Sequence, residues 1–115
     1  MSMPDHIAAE AGRDIAEVPA VEVISTAAVH LMSAAAVHLG LAEDLPEHRD
    51  LDEARSLIEA LAGLITAAAP SLGTHHAGPL RDGLKTLQLA FREASPMPDA
   101  VGEGPGEKYT GPVYS

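Results

Sequence analysis

Ile24-Ser25-Thr26-Ala27-Ala28-Val29-His30-Leu31-Met32-Ser33-Ala34-Ala35-Ala36-Val37-His38-Leu39-Gly40-Leu41 is the stretch from which the fold can be read. From Val23 to Leu41 it carries no charged residue, and Ala-Ala-Val-His-Leu occurs twice, beginning at Ala27 and at Ala35. Pro19 suits a first helical position, and Glu17 and Glu22 lie where the helix dipole favours negative charge. Gly40 followed by Leu41 is a C-terminal stop, because Gly takes the left-handed conformation that ends a helix. The pattern predicts a helix over 19–39. A helix apolar on all sides is normally buried on all sides. Two further short helices cannot cover it, so it is expected at the centre of a homodimer. Ala28, Met32, Ala36 and Gly40 fall on one row, and small residues there let two helices approach closely. They are the candidate dimer contacts.

Toward the C-terminus, residues 42–49 form an acidic connector containing Pro46. Asp50 with Glu53 three residues later is a capping box. Leu51, Ala54, Ile58, Leu61, Ile65 and Ala68 then alternate by three and four, the mark of an amphipathic helix. Pro70 is expected to end it, because proline disfavours the helical conformation just before it. Residues 70–78 are expected as a loop. Pro79 opens a third helix whose apolar face is Leu80, Leu84, Leu87, Phe91 and Ala94, and Pro96 stops it. The expected fold class is all-α. A long central apolar helix is followed by an antiparallel helical hairpin, three main helices in all, with flexible termini.

The ends differ from the middle. Residues 1–18 are expected as a flexible N-terminal arm, 19–95 as the helical domain and 96–115 as a disordered Pro/Gly-rich tail. A folded part of roughly 75 residues has a marginal core. With no Trp and with Phe91 as the single Phe of the chain, its side chains bury little area each. That strengthens the case for a shared core.

The chain has a formal net charge of −10. This argues against nucleic acid, whose phosphates need clustered cations, and against anionic membranes. Val23–Leu41 approaches the length of a membrane span, but Ser, Thr, His and Ala dilute it and its flanks are acidic. There is no Cys, hence no thiolate chemistry. Residues 1–6 have no basic start and no apolar run, so a cytoplasmic location is expected.

Three segments resemble the bacterial Domain of Unknown Function 1844 family. They are Ile24–Leu41, a small-residue helix ending in Leu-Gly; Asp50–Leu61, an acidic cap followed by Ala-Arg and an apolar stripe; and Leu80–Phe91, a short closing helix. Together with their connections they cover about two-thirds of the chain. The resemblance implies a helical fold and no chemistry. Where the family pattern carries Lys-Thr and Gly-Asn-Leu-Thr between the last two helices, this chain has His75-His76, so no role of that link is transferred.

Candidate functional residues are few. His30 and His38 are about 80° apart around the helix and ~12 Å apart along it, too far to share a metal within one chain. Across an antiparallel dimer they would meet, as a metal site or a pH switch, though no Cys or acid at ligand spacing supports them. The more ordinary reading has them bonded to backbone or Ser at the interface edge. His75-His76 reads as an exposed loop. The acids of the connector lack the spacing of a calcium loop. Arg81, Lys85, Gln88 and Arg92 form one stripe of the third helix and read as an exposed polar face. Tyr109 and Tyr114 bracket Gly111-Pro112 as a short motif suited to docking in a groove. No constellation for catalysis is present, so no enzyme activity and no cofactor are expected. The sequence supports a small homo-oligomeric interaction or adaptor protein with a C-terminal tail motif. A metal- or proton-sensing dimer and a membrane-associated helical protein are the alternatives.

Overall fold

The computed structural model describes residues 15–42 and 44–114, and most of the expected N-terminal arm lies outside them. Among the described residues there is no strand, and the fold is all-α. Helix α1 is Ala20–His38 and a single 3-10 turn follows at Pro46–His48. The long helical element α2 is Leu51–Ala94, and one further helical turn, α3, is Glu107–Thr110.

Gly40 ends α1 as its position in the sequence implies. Its φ is +82°, Gly40 N–H donates to the Val37 carbonyl and Leu41 N–H to the Ala36 carbonyl, the paired bonds of a Schellman stop. Asp50 caps α2, its carboxylate accepting from the N–H groups of Asp52 and Glu53. The reciprocal half of the capping box is absent. Asp50 N–H instead donates to the His38 carbonyl at 2.8 Å, which ties the start of α2 to the end of α1.

The loop expected at 70–78 is corrected to helix. Pro70 and Pro79 both lie within α2, and the single non-helical residue is Gly73, at φ 76° and ψ 164°. A proline withdraws its own N–H and crowds the carbonyl four residues back, but the residues after it stay free to continue the helix. The buried positions show why they do. Ala54, Ile58, Leu61, Ile65, Ala68 and Leu72 alternate by four and three up to the break; Ala77, Leu80, Leu84, Leu87 and Phe91 alternate by three and four after it. Leu72 and Ala77 belong to that pattern, and a loop would withdraw both from the core. Arg55 lies 4.9 Å from the Phe91 ring centre, and Arg49 donates to the Ala94 carbonyl at 3.1 Å. Gly73 lies between the partners of each contact, within two residues of the midpoint, so residues on the two sides of the break meet.

Helix α1 lies on this doubled element through Ala28, Ala35 and Leu39, with Val21, Ile24, Leu31, Met32 and Ala36 partly buried beside them. Met32 reaches the second half of α2 at Gly83, where any Cβ would collide with Met32 Cε. Among the described residues, the rest of the chain leaves one side of α1 uncovered. Val23, Thr26, Ala27, Val29, His30 and Ser33 are exposed, with Val29 at 53%.

The expected disorder of 96–115 is also corrected. Gly104, Pro105, Gly106, Glu107 and Val113 are buried, and residues 99–113 run as a strap over α2. Composition alone suggested a segment with too little apolar surface to fold. What holds it is polar: side chains of α2 that reach up to the strap, and three glycines at φ 76–85°, Gly102, Gly106 and Gly111, that let it turn.

Candidate functional site

Two surfaces compete for a functional role, and each is built by a different part of the sequence. The first is the outer face of α1. With Ala28 pointing into the core, a period of 3.6 residues places Val23, Thr26, His30, Ser33 and Val37 on the opposite side. Ser25, Thr26, Val29, His30 and Ser33 line a shallow depression there of about 390 Å³. Glu22 is the one charged residue of the helix.

The row Ala28, Met32, Ala36 and Gly40 does allow close helix packing, but the close neighbour is the chain's own α2. Ala28 is fully buried, Met32 sits on Gly83 and Ala36 packs against the core. Gly40 has its own reason to be glycine in the helix stop, and it faces the Arg49 side chain. The face left for another molecule is therefore the one on the opposite side of the helix.

The two candidate histidines serve different surroundings. His38 Nδ1 lies 2.8 Å from the His48 carbonyl oxygen, which holds the ring proton on Nδ1 and fastens the connector to α1. His30 is exposed on the outer face. His75 and His76 are helical and exposed, their rings edge to face at 5.3 Å. Among the described residues no three His, Cys, Asp or Glu come together as a metal site would require.

The second surface is the seam between α2 and the strap. Gln88, read from sequence as part of an exposed stripe, is 2% exposed. Its Nε2 donates to the Pro105 carbonyl at 3.0 Å and to Thr110 Oγ1 at 3.2 Å. A buried amide without partners would be costly, so the strap is what satisfies it. Gly106 enters the gap beside it, its N–H donating to Glu59 Oε2 at 3.0 Å. A Cβ on Gly106 would lie 2.7 Å from Ala62 Cβ. Glu107 is buried and accepts from Gly102 N–H at 3.0 Å and from Arg92 Nη2 at 3.4 Å. Arg55 Nη2 donates to both oxygens of Asp99 at 3.0 Å, and Arg92 Nη1 donates to the Asp99 carbonyl. Lys108 pairs with Glu59 at 3.6 Å.

Tyr109 and Tyr114 are consequently part of a wall and do not project as a free terminal motif. Tyr109 lies against Gly63, at 3.3 Å from where a Cβ would stand. Both rings, with Thr110, Pro112 and Val113 of the strap, face Ile65, Thr66, Arg81, Leu84, Lys85 and Gln88 of α2 across a cleft of about 450 Å³. The sequence held a faint sign of this. Gln88 continues the apolar register between Leu84 and Phe91, and a polar residue at a core position calls for a partner.

Residues 20–93 match the family model described as Domain of unknown function (DUF1844), and the chain belongs to that family. No curated protein and no solved structure matches it. The family match spans α1 and nearly all of α2 and ends before the strap, so membership accounts for the helices and carries no information on the seam.

Proposed function

We propose that this member of the DUF1844 family is a small homo-oligomeric protein-interaction module whose outer α1 face pairs with the same face of a second copy. The observation that carries the reading is the exposure of Val23, Thr26, Ala27, Val29, His30 and Ser33 along a helix whose one charged residue is Glu22. Two copies of a chain with net charge −10 repel one another over most of their surfaces. An uncharged strip is where that repulsion is weakest and where burial of apolar area gains most. The small side chains of the strip permit close contact. Length and composition alone would also let Ala20–His38 cross a membrane. The acidic flanks and the Thr, Ser and His residues on the outer face favour a protein partner over lipid.

The test is solution mass by light scattering over a concentration series, for the wild-type chain and for a His30→Glu/Ser33→Glu variant. Both positions are exposed, so the variant keeps the monomer fold. The expected result is a dimer that dissociates in the variant. A wild-type monomer at every concentration would sink the reading.

A further inference from the structure

The cleft between α2 and the strap stands out electrostatically among the described residues. Six basic residues lie among the described residues: Arg49, Arg55, Arg81, Lys85, Arg92 and Lys108. Four of them are engaged, Arg49 with the Ala94 carbonyl, Arg55 and Arg92 with Asp99 and Glu107, and Lys108 with Glu59. Arg81 and Lys85 have no ion-pair partner among the described residues, and both line the cleft. They are four residues apart on one helix face, so the two cations stand side by side at its edge. In a strongly acidic chain, the two cations that lack an ion-pair partner among the described residues lie at one concavity.

The cleft also has an apolar interior. Ile65 and Leu84 are buried beneath it, and the rings of Tyr109 and Tyr114, 44% and 64% exposed, stand at its strap side. A volume of about 450 Å³ is within the range of small-molecule sites. Aromatic and aliphatic walls with a few placed charges are the usual composition of such sites.

We propose that this cleft binds a low-molecular-weight amphipathic anion, with its apolar or aromatic body between the tyrosines and Leu84 and its acidic group on Arg81 and Lys85. The two like charges repel a cationic ligand, and the apolar floor favours an organic anion over a bare inorganic one. The site uses a different surface from the proposed dimer face, and the two proposals stand or fall separately.

The experiment uses the full chain and two probes that share a ring system. Anilinonaphthalene sulfonate carries the negative group and N-phenylnaphthylamine lacks it. Fluorescence titration of the wild type is expected to give saturable sulfonate binding at one site per chain. The Arg81→Gln/Lys85→Gln variant, altered at two exposed positions, is expected to bind the sulfonate about tenfold more weakly, with unchanged affinity for the neutral probe. In the wild type, the sulfonate is expected to shift the NMR signals of the Gln88 side-chain amide and the Thr110 backbone amide. No saturable binding, equal sulfonate binding by the variant, or shifts confined to Val23–Ser33 would each overturn the proposal. The urea midpoint of the variant, expected unchanged, separates loss of charge from loss of fold.

Discussion

The outer face of α1 and the strap over α2 are made of opposite materials and behave in opposite ways. The α1 face is built of Val, Ala, Thr, Ser and His on a regular helix, and among the described residues it has nothing to rest on. The strap is rich in Gly and Pro, with one helical turn, and it is held at many points. The difference lies in what covers a surface. Apolar burial is non-directional and needs a matching apolar neighbour, and α1 spends its inner face, Ala28, Ala35 and Leu39, on α2. Directional bonds need only correctly placed donors and acceptors, and Gln88, Glu59, Arg92 and Arg55 supply them along one seam. A segment can thus fold back on its own domain without contributing much core.

If that account is right, the strap is the place where one atom matters most. Gly106→Ala is expected to produce the largest effect, about 2–3 kcal/mol of lost stability, read as a lower urea midpoint. It forces a Cβ onto a backbone at φ 76° and into Ala62 at 2.7 Å, with Gln88 Nε2 at 3.1 Å. Glu107→Ala should follow at about 2 kcal/mol, because it strips acceptors from Gly102 N–H and Arg92 inside a buried site. Either variant should also raise amide exchange at Gly106 and Tyr109. A strap whose exchange is already fast in the wild type would break the comparison. Arg55→Ala comes next at about 1 kcal/mol, since it loses both the Asp99 pair, which is partly exposed, and the contact with the Phe91 ring.

These two regions also mark where the sequence could and could not be read. The all-α class, the start of α2 at Asp50 and the stop at Gly40 were legible, because each depends on local periodicity or a local cap. The break in α2 was placed in the right stretch but drawn as a nine-residue loop, because two prolines and a pair of histidines resemble a loop, whereas only Gly73 leaves the helical conformation. The three-four register running through Leu72 and resuming at Ala77 was the stronger signal. The strap was illegible because its partners are distant in sequence: Glu59 lies 47 residues from Gly106 and Arg55 lies 44 from Asp99. Composition reports how much apolar area a segment can bury. It says nothing of a buried amide waiting at position 88. Tyr109 and Tyr114 were legible as unusual residues, but their surroundings depended on that same distant seam.

The smallest stability effect is expected on α1, and its smallness is informative. Val29→Ser removes an apolar side chain that is 53% exposed. In dilute protein its urea midpoint should match the wild type within about 0.5 kcal/mol, as for other surface substitutions away from special features. At high concentration the two chains should part company. If the outer face pairs with a second copy, the wild type gains stability with concentration by mass action, and the variant gains less. The same substitution is therefore silent in one regime and visible in the other. A Val29→Ser cost of 2 kcal/mol in dilute protein would mean that the outer face is already covered within the chain. A midpoint independent of concentration for both proteins would mean that no second copy covers it.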